Sequence, residues 1–217
     1  MMLSSFFSLS AKGLQELLNV RTSFAQSHNV VFNTAKSQSM IINSKFSAIR
    51  HLSCALLAYP IVYTDKYKYL GHVICADLTD DADVMKQNRS LYARANSIIR
   101  KFSQAFLTSK IVLFKDYCTP IYGCQLWSSI FQYYSLNKLK VAYNDGFRLL
   151  LNEPRWCSAS TLFVYHNVPT FYDLFRKLIY ALWKSCHNSS KSLVHKLFAS
   201  DVYIQSKLFH RWRKLLY

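Results

Sequence analysis

Acidic residues are scarce in this chain of 217 residues. It contains 11 Asp and Glu against 27 Lys and Arg, so the formal net charge at pH 7 is +16. An excess of this size is typical of a protein that binds a polyanion, either nucleic acid or an anionic membrane surface. Glycine and proline are also scarce, with four residues of each, while hydrophobic residues make up 51% of the chain. This composition excludes a disordered tail, a collagen-like repeat and a low-complexity linker.

Several recurrent functional motifs are absent as well. The six cysteines form no Cys-x-x-Cys pair and the seven histidines are dispersed, so no spacing typical of a zinc site occurs. Because scattered cysteines in a chain of this length do not suit a disulfide scaffold, we expect them to be reduced and mostly buried. The sequence contains no P-loop, dinucleotide fingerprint or Gly-x-Ser-x-Gly turn. No apolar run reaches the roughly 20 residues that a membrane span needs.

The first part of the chain predicts a small region of mixed helix and strand. Ser10 can cap a helix that runs to about Ser27 with its apolar residues on one face. Residues 30–32 and 40–42 are short apolar runs on either side of a polar turn, which predicts two paired strands. In residues 59–74, tyrosines alternate with lysines and Gly71 allows a turn, so we expect a β-hairpin there.

The pattern becomes helical after a cluster of four acids, Asp77, Asp80, Asp81 and Asp83. This cluster suits an acidic loop and a helix N-terminus better than a metal site. A long helix should follow to about residue 106, with an apolar face of Val84, Asn88, Leu91, Tyr92, Ala95, Ile98, Ile99, Phe102 and Phe106. Further helices are expected at residues 109–119, 123–131, 135–151, 158–165, 170–187 and 191–217, the last with a break near Ser200.

Two groups of residues are candidates for binding nucleic acid. Basic side chains lie beside the apolar face of the long helix, at Lys86, Arg89, Arg94, Arg100 and Lys101. They can contact phosphates, or they can form an ordinary solvated face. In the expected hairpin, Tyr67 and Tyr69 alternate with Lys66 and Lys68, and this pattern suits either contact with nucleic acid or plain β packing.

Taken in order, several segments resemble reverse transcriptases of LINE-type (non-LTR) retrotransposons, in the part that follows their catalytic turn. The resemblance covers nearly the whole chain. It is carried by Phe-Asn-x-x-Lys at residues 32–36, Tyr69-Leu70-Gly71, the long basic helix, and Pro-x-Tyr-Gly-x-x-x-Trp at residues 120–127. No single piece is specific, but the ordered set is.

The resemblance implies an α+β fold that is predominantly helical. Residues 1–76 would be the end of the palm, a small antiparallel remnant with a hairpin like the primer grip. Residues 77–130 would be helices like those of the thumb, and residues 131–217 a helical C-terminal extension.

The resemblance also implies roles for single residues. Lys36 matches a lysine that is a candidate for assisting pyrophosphate departure, Tyr69-Leu70-Gly71 matches the primer grip, and the long helix matches the thumb that tracks the template–primer duplex. The implied nucleic-acid-binding residues are Lys36, Lys68, Tyr69, Leu70, Gly71, Lys86, Arg89, Arg94, Arg100 and Lys101.

Catalysis is not expected from this chain alone. In the family, an Asp-Asp turn holds Mg²⁺ for nucleotidyl transfer, and the resemblance would place that pair just before Met1. We therefore expect no catalytic residue, no metal ligand and no cofactor in the chain. The expected function is that of a truncated reverse-transcriptase-like protein that binds template and primer without polymerising.

The expected partners are RNA, DNA or an RNA–DNA hybrid, together with the N-terminal part of the polymerase, and not a membrane. A basic helical interaction module with no polymerase ancestry is the main alternative. Binding to an anionic membrane is a weaker one, because no isolated amphipathic helix with exposed aromatics stands out. Nothing in the sequence chooses between the nucleus and the cytoplasm.

Overall fold

The computed structural model describes residues 6–42, 54–127 and 133–216. The chain forms two compact units. The N-terminal unit consists of residues 1–69 and 73–78, and the C-terminal unit consists of residues 70–72 and 79–217. The described residues are mostly helical with small two-stranded sheets, which agrees with a predominantly helical α+β fold.

The N-terminal unit begins with helix α1, Ala11–Ser27. The Ser10 side chain accepts a hydrogen bond from the backbone N–H of Gly13, as expected of an N-cap, and the predicted helix is confirmed. The side-chain amide of Gln15 pairs with the backbone of Ala55 in both directions, donating to its carbonyl and accepting from its N–H, each at 2.9 Å. This pair of hydrogen bonds joins α1 to the short strand that contains Ala55.

Four short strands of this unit form two of the three two-stranded sheets found among the described residues. Strand β1 (Gln38–Ser39) pairs in parallel with β4 (Val62–Tyr63), and β2 (Ala55–Leu56) pairs antiparallel with β3 (Tyr59–Pro60). The expected pairing of residues 30–32 with 40–42 is wrong, and the expectation of an antiparallel sheet is wrong for β1 and β4.

The polar turn at residues 33–37 explains why residues 30–32 do not pair with residues 40–42. The Asn33 side chain accepts from the backbone N–H of Lys36 and caps a 3₁₀ helix, Thr34–Lys36. A side chain that satisfies the backbone locally competes with strand pairing. The chain therefore makes a 3₁₀ helix where a polar turn between two paired strands was expected.

The predicted hairpin is confirmed. Strand β5 (Lys66–Tyr69) pairs with β6 (His72–Cys75) across the two residues Leu70 and Gly71. The two tyrosines of β5 are half-buried and its two lysines are exposed, as the alternation of these residues indicates.

The C-terminal unit is a set of helices whose bounds follow the predicted ones closely. They are α2 Asp81–Lys101, α3 Leu107–Cys118, α4 Tyr133–Leu151, α5 Ala159–Tyr165, α6 Phe171–His187, α7 Ser192–Phe198, α8 Asp201–Ile204 and α9 Lys207–Leu216. The predicted break near Ser200 is confirmed, since Ser200 is the N-cap of α8. A second break, at residues 205–206, separates α8 from α9.

One continuous core joins helices α2 to α6, and its centre is aromatic. The Phe147 ring lies 4.7 Å from Phe163 in a stacked arrangement and 5.0 Å from Phe114, measured between ring centroids. Tyr143 stacks on Phe163 at 5.1 Å, and its hydroxyl donates to the carbonyl of Pro169. The core contains residues from both 77–130 and 131–217, so these two ranges share a single interior.

Two expectations in this unit are wrong. Helix α2 ends at Lys101, and Phe106, which was expected on the apolar face, is instead the N-cap residue of α3 and 84% exposed. Phe102 follows the helix as its C-cap and is also exposed. The helical spacing of apolar residues continues in the sequence past residue 101, but the helix ends there. The apolar residues beyond that point therefore lose contact with the core.

The helix expected at residues 123–131 is a 3₁₀ turn, Cys124–Leu126, within the described residues, and residues 128–131 lie outside them. Gly123 has a φ of +84°, a left-handed conformation that does not begin an α-helix. Trp127 after the turn is extended.

All six cysteines are free, as expected. Four of them are buried, Cys54, Cys75, Cys118 and Cys124. Burial raises the pKa of the Cys118 thiol to about 11 and that of the Cys124 thiol to about 12. These two thiols act as small core residues that stay protonated at neutral pH.

Candidate nucleic-acid interface

Helix α2 has two chemically different faces. Its buried face enters the core of the C-terminal unit with Val84, Gln87, Asn88, Leu91, Ala95 and Ile98. Its solvent side carries Arg89, Arg100 and Lys101, all exposed. Arg89 and Arg100 lie about 16 Å apart along the helix axis at 1.5 Å per residue, which is the span of about five phosphates on one strand. These three cations can contact a phosphate backbone while the opposite face holds the helix in place.

Arg94 has a different environment from these three cations. Its Nη1 donates to the carbonyls of Tyr117 at 2.7 Å and Pro120 at 3.1 Å, at and beyond the end of α3. Burial lowers the pKa of this guanidinium, and the nearby Cys118 opposes that shift. Arg94 therefore satisfies carbonyls at the C-terminus of α3, which is a structural task.

Lys86 is also engaged inside the protein. Its Nζ donates to the carbonyl of Gly71 and lies 3.4 Å from Oδ1 of Asp83. The lysine thus ties the hairpin turn to the first turns of α2. Of the five basic residues predicted on this helix, the structure leaves Arg89, Arg100 and Lys101 directed to solvent.

Asp83 is the centre of a buried polar cluster within the C-terminal unit. Its carboxylate is fully buried; Oδ2 accepts from Nε1 of Trp127 at 2.9 Å and lies 2.8 Å from Nδ1 of His72. A Cβ placed on Gly123 would lie 2.8 Å from the same His72 nitrogen and 3.3 Å from the same oxygen. Only glycine fits at position 123, because the backbone passes against the carboxylate and has a positive φ.

Asp83 was expected only as part of an acidic helix start, so its role in this cluster was missed. One signal was available, because extending the helical spacing back from Val84, Gln87 and Leu91 places Asp83 at the edge of the buried face. A buried carboxylate requires partners, and the aromatic N–H of Trp127 and the imidazole of His72 are suitable ones.

The Leu70–Gly71 turn is the part of the Tyr69-Leu70-Gly71 segment that belongs to the C-terminal unit. Both residues have positive φ, +47° and +85°, which is the conformation of a type I′ hairpin turn. Leu70 is 67% exposed, although leucine rarely adopts positive φ. A Cβ on Gly71 would lie 3.3 Å from the Tyr122 ring, so this ring packs on the turn.

The remaining predicted residues belong to the N-terminal unit. Lys36 is exposed on the 3₁₀ helix, Lys68 is exposed on β5, and Tyr69 is half-buried at the end of β5. The C-terminal unit therefore contains Leu70, Gly71 and the five basic residues of α2, and the N-terminal unit contains the other three.

Within residues 6–42, 54–127 and 133–216, no group of three or more His, Cys, Asp or Glu side chains is placed to hold a metal ion. Across the same residues, no helix is both long and apolar enough to cross a bilayer. No family model, curated protein or solved structure matches the chain.

Proposed function

We propose that this chain is the template–primer-binding part of a LINE-type reverse-transcriptase-like protein, and that it binds nucleic acid through phosphate contacts without polymerising. Phosphate contacts need Lys and Arg in a fixed place and carry little sequence information. The chain would bind RNA, DNA or their hybrid with little sequence preference.

One observation supports this proposal best. Three basic side chains are exposed on a helix whose opposite face is buried in the core, namely Arg89, Arg100 and Lys101. The packed helix holds the backbone positions of these cations in place, which reduces the ordering cost of binding. The Leu70–Gly71 turn, held by Lys86 to the same helix, adds a projecting apolar side chain within the C-terminal unit. The net charge of +16 supplies long-range attraction to a polyanion.

The test compares two triple variants of equal charge in the full chain. The first changes Arg89, Arg100 and Lys101 to Gln; the control changes Arg176, Lys177 and Lys184 on α6, which are also exposed. Affinity for an RNA–DNA hybrid is measured by fluorescence anisotropy at several salt concentrations. Each lost phosphate contact should reduce the log–log salt slope by about 0.9, so the α2 triple should reduce it by about 2.7.

The control triple should leave the salt slope nearly unchanged. Equal losses from both triples would mean that binding follows total charge, and would favour the alternative of a general basic module. Arg94→Gln, tested alone, should lower stability without a matching change in slope, because its guanidinium bonds backbone carbonyls. Primer extension with dNTPs and Mg²⁺ or Mn²⁺ should not exceed a boiled control, and clear synthesis would contradict the proposal.

A further inference from the structure

A cavity of about 440 Å³ lies among the last helices of the C-terminal unit, α6 to α9. Its volume falls within the range of about 300–1,000 Å³ that is usual for small-ligand sites. Its lining includes the rings of Trp183, Phe198, Tyr203 and Trp212, together with Ile204 and Arg213. The last two residues are exposed, so the cavity opens to solvent.

The aromatic walls are held in place by their own contacts. Phe198 lies 4.5 Å from Tyr203 and 6.3 Å from Trp212 between ring centroids. Trp212 is only 3% exposed, and its Nε1 donates to the carbonyl of Gln125 at 3.0 Å. The neighbouring Arg211 is buried as well, so α9 is anchored in the unit at two successive residues. The rings therefore form a prearranged aromatic lining of the cavity.

The charge at the cavity indicates which kind of ligand it favours: cationic, neutral or anionic. Of the residues that line the cavity, Arg213 is the one with a formal charge. The stretch of sequence from residue 177 to residue 214 is also basic overall, with eight Lys and Arg against a single acid, Asp201. A cationic ligand would be repelled by the guanidinium of Arg213, and a neutral apolar ligand would gain nothing from that charge. An anionic ligand with a flat apolar part satisfies both the rings and the charge.

We propose that this cavity binds an unpaired nucleobase of single-stranded nucleic acid, with Arg213 contacting the adjacent phosphate. Stacking on aromatic rings tolerates any base, because every base has a π face. The inference rests on the proposed function in one respect, that the polyanion is nucleic acid. It adds a second site: α2 contacts the backbone of a duplex, and the cavity takes a base from a single-stranded segment.

The test uses two variants of the cavity and a matched control for each. Ile204→Trp fills the opening, and Val202→Trp places the same side chain on the same helix at a residue that is 79% exposed. Arg213→Gln removes the cation at the rim, and Lys214→Gln removes its exposed neighbour. The full-length variants are titrated with a fluorescent single strand of about ten nucleotides and with the RNA–DNA hybrid.

Ile204→Trp should weaken single-strand binding about tenfold or more, since one stacked base contributes a factor of this order. Arg213→Gln should reduce the single-strand salt slope by about 0.7. Neither variant should alter hybrid affinity, and neither control should alter single-strand affinity. A single strand carrying one 5-iodouracil should cross-link on irradiation to peptides that contain Trp183, Phe198, Tyr203 or Trp212.

The outcomes separate this inference from the proposed function. If Ile204→Trp leaves single-strand affinity unchanged while the α2 triple weakens the hybrid, the cavity site is overturned and the proposed function stands. If the cross-links map to the cavity but the hybrid does not bind, the proposed function fails and the cavity site stands. If a neutral apolar dye or lipid vesicles bind at the cavity and the single strand does not, the inference is overturned in favour of an apolar ligand.

Discussion

The two units of the chain are stabilised in different ways. Among its described residues, the N-terminal unit has a small core cluster, Leu18, Cys54 and Leu56, together with local helix caps and the amide pair between Gln15 and Ala55. The C-terminal unit has a large core of stacked and tilted aromatic rings that spans α2 to α6. Burial of apolar surface is the dominant favourable contribution to folding, so the C-terminal unit should be much the more stable of the two.

The largest effect should come from removing a ring at the centre of the C-terminal core. Phe147→Ala leaves a cavity between Phe114 and Phe163 and should cost about 3–5 kcal/mol of unfolding free energy. All four tryptophans, Trp127, Trp156, Trp183 and Trp212, lie in the C-terminal unit, so the tryptophan fluorescence of denaturant titrations reports on that unit alone.

Two controls make the comparison between units direct. Leu149→Ala, on the exposed side of the same helix, should change stability by about 0.5 kcal/mol or less. Leu18→Ala should weaken α1, seen by circular dichroism, while leaving the tryptophan transition in place. A shift of that transition by Leu18→Ala would show that the two units unfold together.

Amide hydrogen exchange should show the same difference without mutation. We expect amides of α2 to exchange roughly a hundredfold more slowly than those of β1 to β6, because exchange follows local opening and the small sheets bury little apolar surface. Strands of two to four residues also leave unpaired edges. Uniformly slow exchange over residues 54–75 and 81–101, measured by mass spectrometry, would contradict this comparison.

The helices were predictable because their signals are local. Ser10, Ser158 and Thr170 cap the helices that follow them. The core buries most of the predicted apolar stripe from Val84 to Ile98, but Tyr92, which was expected on it, is exposed. Such signals depend on neighbours within a few residues, which a sequence displays directly.

The details of the site were not predictable, because they depend on distant parts of the chain. Asp83 and Trp127 are 44 positions apart, and Arg94 bonds carbonyls 23 and 26 positions away. The sequence of α2 does not distinguish Arg94 or Lys86 from the exposed Arg89. The difference arises only in the fold, where Arg94 lies beside Pro120 and Lys86 lies beside Gly71. The parallel pairing of β1 with β4 is non-local in the same sense.

A more focused change tests the buried cluster of the C-terminal unit. Gly123→Ala should cost about 2–3 kcal/mol, because alanine is strained at a φ of +84° and its Cβ would press on His72 and Asp83. Gly71→Ala is the matched control, since its φ of +85° gives similar strain but its Cβ meets only the movable Tyr122 ring. The difference between the two variants in thermal unfolding measures the packing around the carboxylate, and equal losses would refute its importance.

Alkaline pH should destabilise the C-terminal core through its thiols. The folded pKa values of Cys118 and Cys124, about 11 and about 12, lie above the ordinary thiol value of 9.0. Between pH 9 and these values the unfolded chain releases protons that the folded chain retains, so stability falls as pH rises, by about 1 kcal/mol per pH unit for each thiol. Cys124→Ala should flatten this dependence in unfolding titrations at pH 8 to 10; an unchanged slope would exclude Cys124 as its source.

The smallest effects are expected from two alanine-to-glycine substitutions, one in each unit. Ala58 lies in the turn between β2 and β3 with a φ of +66°, and Ala93 lies on the exposed side of α2. Glycine accepts positive φ without strain, so Ala58→Gly should stabilise the N-terminal unit by about 1 kcal/mol. The same change at Ala93 should destabilise the C-terminal unit by about 1 kcal/mol, because glycine costs this much in a helix interior.

The two stability changes should have opposite signs. The turn holds Ala58 in a conformation that alanine disfavours, whereas the helix holds Ala93 in one that alanine prefers. Hydrogen exchange reports the first variant, through slower exchange in β2 and β3, and tryptophan fluorescence reports the second. Faster exchange in β2 and β3 after Ala58→Gly would mean that the turn is not left-handed in solution. In that case local backbone strain would not contribute to the weakness of the N-terminal unit, and its small core alone would account for it.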